Sequence, residues 1–236
     1  MPQQNPSDSL MAFMVAVSIF GLATTTALAI QPTVRNDAIT WRRPLVGSVL
    51  AAICLLGILA ASSPKRCGQA EAVHFRQRLV EGQDGSSAQV FRGHHLNCSK
   101  YADHVLDLGN RCLCAACTGL TVGAVAVLAG SVIFFFVGFE VGSLGGAAVA
   151  VGNLGIILGF FQFKFRKFVR LLANALFVVG AFLILAGLDS TVQNLYVDAY
   201  SLGLIVFWLL TRIYLSKWNN NRICGSCERC EIRGVT

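Results

Sequence analysis

Apolar positions in this chain gather into six runs, and polar positions collect between them. The runs cover 10–30, 45–61, 113–139, 141–163, 168–188 and 195–215. A helix rises about 1.5 Å per residue, so runs of this length match a hydrocarbon core roughly 30 Å thick. The pattern predicts an all-α membrane fold, a six-helix transmembrane bundle. Run 10–30 also resembles a signal peptide, with Ala27-Leu28-Ala29 as a small-residue cleavage site. No Lys or Arg precedes it, however, and it is long for such a segment, so it is read as a retained helix.

The sizeable polar stretch is 62–112, placed between the second and third runs. Within it, Val73, Phe75 and Leu79 alternate with His74, Arg76 and Arg78, and 82–87 is turn-like. This predicts a β-hairpin completed by 88–92. Asn97 or Ser99 is expected to cap a short helix running to Leu108, stopped by Gly109. The chain therefore divides into an N-terminal transmembrane hairpin (1–61), a Cys/His subdomain (62–112), a four-helix transmembrane region (113–215) and a basic Cys-rich tail (216–236). In the fourth run, Gly142 and Gly146 are four apart, as are Gly155 and Gly159. That spacing allows close helix approach, within the chain or across a homo-oligomer interface on helix 4. Packing within the chain is the simpler expectation.

Composition sharpens this picture. The chain is 55% hydrophobic and 13% charged, about half the charge of a soluble domain, with a mean hydropathy of +0.62. The lipid bilayer is thus the first partner. A net charge of +7 would suit nucleic acid in a soluble protein, but in a membrane protein it marks cytoplasmic loops. Six spans put both termini and 62–112 on one side, and sixteen of the nineteen Lys and Arg residues belong to that side. The expected location is the cell membrane, with N- and C-termini cytoplasmic. Arg35, Arg42 and Arg43, in the first loop on the opposite side, run against this trend.

Candidate chemistry concentrates between His94 and Gly119. A tetrahedral zinc site takes four N or S ligands from two short pairs. His95-x-x-Cys98 and Cys114-x-x-Cys117 are such pairs, with fifteen residues between Cys98 and Cys114. Cys114 and Cys117 fall at a predicted helix start, where free N–H groups favour thiolates. His94 or His104 can replace His95 or support it, and Cys112 is a further thiol. Cys224, Cys227 and Cys230 are candidates for a second site or for part of an iron–sulfur cluster. A cytoplasmic face is reducing, which disfavours disulfides and favours metal thiolates. Cys54, inside the second run, is expected to act as a small apolar residue.

Gly93-His94-His95-Leu96-Asn97-Cys98, His104 and Cys114-Ala115-Ala116-Cys117-Thr118-Gly119-Leu120 together resemble a family of prokaryotic, often archaeal, membrane proteins of unknown function. That family has a His/Cys segment followed by a Cys-Ala-x-Cys-Thr-Gly signature that opens a helix. It often carries Pro or Arg where this chain has Leu96 and Ala115. The resemblance implies membrane location and metal ligation by these residues.

Function is expected to be non-enzymatic: a cytoplasmic zinc module that is structural, or that docks a cytoplasmic protein partner or senses. One alternative is a membrane thiol or iron–sulfur redox protein. Another is a small-solute transporter, whose polar candidates inside the spans are Asn153, Asn174 and Asp198. Asp198 is expected near a helix end, where its charge stays hydrated. The sequence has no P-loop, and no histidine in an apolar run to hold a haem.

Overall fold

In lipid, each backbone N–H and C=O needs an internal partner, so an apolar run of membrane-spanning length closes into a helix. All six runs do so in the computed structural model, which describes residues 6–31, 40–62, 105–108, 111–138 and 144–225. In chain order the elements are α1 (Pro6–Ile30), α2 (Arg42–Ser62), β1 (Val105–Leu108), β2 (Arg111–Cys114), α3 (Ala115–Ser131), α4 (Gly145–Phe160), α5 (Lys167–Val192) and α6 (Leu195–Gly225). A π-helical turn, Val132–Phe136, extends α3, and a 3-10 turn, Phe161–Lys164, extends α4. Among the described residues, six helices are long and apolar enough to cross a membrane.

Helix ends follow local chemistry rather than hydropathy. α2 begins at Arg42 and tolerates Pro44 because a first-turn residue needs no intrahelical N–H bond. α6 continues past the expected end at 215 to Gly225. The Lys217–Arg222 stretch is polar, but it contains no helix breaker. Its Trp218 donates from Nε1 to Asp8 Oδ1 of α1 at 3.0 Å, and the Arg222 guanidinium stacks over the Trp218 ring at 4.8 Å. The contact between Trp218 and Asp8 also shows that the start of α1 and the end of α6 lie at one end of the bundle.

The helix expected to reach Leu108 is replaced there by strand β1, which pairs antiparallel with β2 in the register Val105↔Cys114 to Leu108↔Arg111. The reason is local. β1 and β2 lie only two residues apart in sequence, a separation that suits an antiparallel pair. Val105, Leu106 and Leu108 then find Cys114, Leu113 and Arg111 opposite them. Strand β2 passes straight into α3. The hairpin expected over 73–92 lies outside the described residues.

α5 is the most buried span and the centre of the bundle. Its largest contacts are with α4 and α3. Small residues permit this. A Cβ on Gly152 would stand 2.6 Å from the Gly180 carbonyl oxygen, and one on Gly159 would stand 2.4 Å from the Phe177 ring. The glycines of α4 thus serve packing within the chain at 152, 155 and 159, whereas Gly146 has open space around it. The two N-terminal spans diverge. α1 packs chiefly on α6, α4 and α5, and α2 packs chiefly on α3 and the π turn. α1 is therefore an integrated member of the bundle. Its Thr26 accepts a hydrogen bond from Asn153 Nδ2 at 2.7 Å, and its Ser18 donates to Thr211 Oγ1 at 3.3 Å.

Candidate functional site

The two cysteines of the C-x-x-C pair straddle the junction between β2 and α3. Cys114 is the last strand residue and the N-cap of α3, with extended backbone (φ −70°, ψ 117°). Cys117 lies one turn in, so the pair does open a helix, as expected from the sequence. Their carbonyls are engaged: Thr118 Oγ1 donates to the Cys114 oxygen at 2.9 Å, and Thr121 Oγ1 donates to the Cys117 oxygen at 3.0 Å. Both sulfurs are outside any disulfide; Cys114 is buried at 4% exposure and Cys117 is half-buried. Gly119 presses this turn onto α5, where an added Cβ would come 2.2 Å from the Leu171 carbonyl oxygen and 2.9 Å from Asn174 Cβ.

Behind that contact lies a polar cluster of which the sequence had pointed to Asn174 alone. Arg212 of α6, 5% exposed, donates from Nε to Asn174 Oδ1 at 2.9 Å and from Nη2 to Gln162 Oε1 at 3.0 Å, with a second Nη2 contact to Asn174 Oδ1. Asn174 Nδ2 donates in turn to the Arg170 carbonyl oxygen at 2.6 Å. Gln162 is 1% exposed, and its Nε2 has no hydrogen-bond partner among the described residues. The amide oxygens that receive Arg212 are neutral. Arg170, 1% exposed, adds a second buried positive charge at this end of the bundle. An arginine in a transmembrane helix carries a cost on the order of 3 kcal/mol when it sits centrally. A specific counter-charge is the usual compensation.

The apolar runs 168–188 and 195–215 take in Arg170 and Arg212 with no role given to either. Arg170 is buried in the first turns of α5. The available signal was Gln162, Arg170, Asn174 and Arg212 themselves, four polar side chains at the ends of three apolar segments that the topology gathers at one end of the bundle.

The remaining candidate ligands divide as follows. His94, His95, Cys98, His104, Cys227 and Cys230 lie outside the described residues, and so does Cys67. Cys112 stands in β2 opposite Asp107, and Cys224 is in the last turn of α6. Among the described residues no three His, Cys, Asp or Glu side chains come together as a metal-holding group. Cys54 is buried in the apolar core, as expected for a small apolar side chain.

At the opposite end is a second buried cluster. Arg42 Nη1 pairs with Asp189 Oδ1 at 2.7 Å and also with Asp198, and Arg43 Nε pairs with Asp189 Oδ2 at 3.0 Å. This corrects the expectation that Asp198 keeps a hydrated charge: it is fully buried and ion-paired with Arg42. A helix end on the inner face of a bundle is covered by its neighbours, here by the start of α2. The cluster also gives two first-loop arginines a structural reason to lie on the arginine-poor side. Asn153, the third polar candidate inside the spans, is taken up by α1, with Thr25 Oγ1 donating to its Oδ1 at 3.3 Å.

Comparison of the chain with protein-family models, with curated proteins and with solved structures finds no match.

Proposed function

We propose that this is a multi-pass membrane protein whose Cys/His segment forms a zinc-stabilised module on the cytoplasmic face, non-enzymatic, and used to dock a protein partner or to sense. One observation carries the proposal: Cys114 and Cys117 stand one helical turn apart where a hairpin enters a transmembrane helix. His95 and Cys98 would complete a tetrahedral set, with His94, His104 or Cys112 as nearby substitutes. A metal held there ties the polar segment 62–112 to the bundle, which suits a segment with little apolar material of its own. The sidedness rests on the positive-inside distribution of Lys and Arg.

The test is elemental analysis with a visible spectrum on the purified, detergent-solubilised protein. About one zinc per chain without colour supports the module, and Cys114→Ser and Cys117→Ser should each lose that zinc. Full metal content in both variants would defeat the ligand assignment. A second reading, thiol redox chemistry, is favoured by the place of the C-x-x-C pair at a helix start, where free N–H groups favour the reactive thiolate. It predicts zinc-free protein with rapidly alkylated Cys117, or iron and a brown chromophore if a cluster forms.

A further inference from the structure

We propose that the buried polar cluster around Arg212 is a binding site for a phosphate group, carried by an anionic lipid or by a soluble phosphate. A guanidinium has five N–H donors. In Arg212, Nε and Nη2 direct theirs to Asn174 Oδ1 and Gln162 Oε1, and Nη1 has no acceptor among the described residues. Arg212 orients both amides, because each must turn its oxygen toward the cation. Their NH2 groups then point away. Asn174 Nδ2 reaches the Arg170 carbonyl oxygen at 2.6 Å, whereas Gln162 Nε2, on a side chain 1% exposed, has no acceptor among the described residues. Nε2 and the oxygen bound to Arg212 belong to one amide, so the spare donors of Gln162 and Arg212 share one cluster. Leaving a buried donor unmatched is costly. The charge has the same gap. Arg170 is a second buried cation, one turn before Asn174 on the same face of α5. The buried carboxylates among the described residues are Asp189 and Asp198, and both pair with Arg42 at the opposite end. Asp198 precedes Arg212 by 14 residues of α6, a rise of about 21 Å. The surroundings also favour an anion. α5 begins beside Gln162, so its positive dipole end lies at this end of the bundle. Lys164 and Lys167 occupy the turn from α4, with exposed Phe161 and Phe168 next to them, as suits a membrane boundary. Basic pockets between transmembrane helices at such a boundary hold phosphate headgroups. A phosphate brings negative charge and several acceptor oxygens, which matches spare donors on two nitrogens.

The test uses the full-length protein, delipidated in a maltoside detergent. It is titrated at constant ionic strength with phosphatidylglycerol, phosphatidylcholine and inorganic phosphate while the thermal midpoint is followed. A ligand of the folded state raises that midpoint once its concentration passes its Kd. Phosphatidylglycerol should raise it more than phosphatidylcholine, which has no net charge. A rise with phosphatidylglycerol alone assigns the site to a lipid headgroup, and a rise with inorganic phosphate assigns it to soluble phosphate. No rise with either overturns the proposal, and so does an equal rise with both lipids and none with inorganic phosphate, which is a general lipid effect. Variants then separate the cluster from attraction to a basic surface. Gln162→Glu keeps an oxygen for Arg212 and puts a carboxylate oxygen where the spare donor was. It should raise the ligand-free midpoint and weaken phosphate binding about 10–100-fold, the worth of a hydrogen bond to a charged group. Lys164→Gln combined with Lys167→Gln should stay within about threefold of wild type, as expected for exposed charges. Loss of binding in the lysine variant with wild-type affinity in Gln162→Glu identifies surface attraction and overturns the proposal. Where Gln162→Glu gives no folded protein, Gln162→Met decides, since it removes the donor without adding charge, and unchanged affinity there overturns the proposal.

Discussion

Single atoms decide how closely α3 approaches α5. A methyl group on Gly119 would meet the Leu171 backbone, which cannot rotate away, whereas a methyl on Gly146 would meet nothing within 4 Å. Overpacking of this kind typically costs about 1–3 kcal/mol. Gly119→Ala should therefore lower the thermal midpoint in detergent and disturb the adjacent Cys117 turn. Gly146→Ala should leave the midpoint unchanged or slightly raised, because alanine favours helix over glycine by roughly 1 kcal/mol. Equal midpoints for the two variants would show that α3 and α5 do not approach in this way. At this scale the sequence was informative about thiols and less so about cations. The 114–117 spacing was visible because two ligand-type residues lie one turn apart. Arg212 was not, because its partners Asn174 and Gln162 are 38 and 50 residues away along the chain.

Helices and strands are joined by groups that no single element contains. The start of α2 is fastened to the end of α5 and the start of α6 through Arg42, Asp189 and Asp198. Removing one partner of a buried ion pair typically costs about 3–5 kcal/mol, since the other charge is left uncompensated. Arg42→Met should therefore be strongly destabilising in thermal or denaturant unfolding. Adding Asp198→Leu to it should recover part of the loss, since the stranded carboxylate is removed. Arg43→Met should cost less, because Arg43 is partly exposed and Asp189 keeps its Arg42 partner. A double variant weaker than Arg42→Met alone would show that the pair does not behave as a coupled unit. The strand at 105–108 belongs to this scale too. Its residues suit helix or strand, and antiparallel pairing with β2, Leu113 opposite Leu106, settles it in favour of the strand.

At the scale of the bundle, the six membrane-length helices among the described residues and the contact between Asp8 and Trp218 put the start of α1 and the end of α6 on one side. The Lys and Arg distribution predicts that side to be cytoplasmic. A reporter domain fused after Thr236 should be active only in its cytoplasmic form, and an externally accessible fusion would reverse the orientation. The ion-paired Arg42 and Arg43 do not oppose this orientation in the folded protein, where they are matched by Asp189 and Asp198.

By itself the sequence determined the membrane class, the six spans to within a few residues at most ends, and the helix-opening position of Cys114 and Cys117. Those features depend on local quantities: apolar run length against bilayer thickness, and the short reach of a single turn. Tertiary structure alone decided which polar side chains are buried and with whom. Asp198 reads as a hydrated helix end until α2 covers it. Arg212 reads as an interruption of an apolar run until α5 and the turn after α4 supply its acceptors. The physical reason is that burying a charge is favourable only with a partner, and the partners here come from segments far apart in the chain.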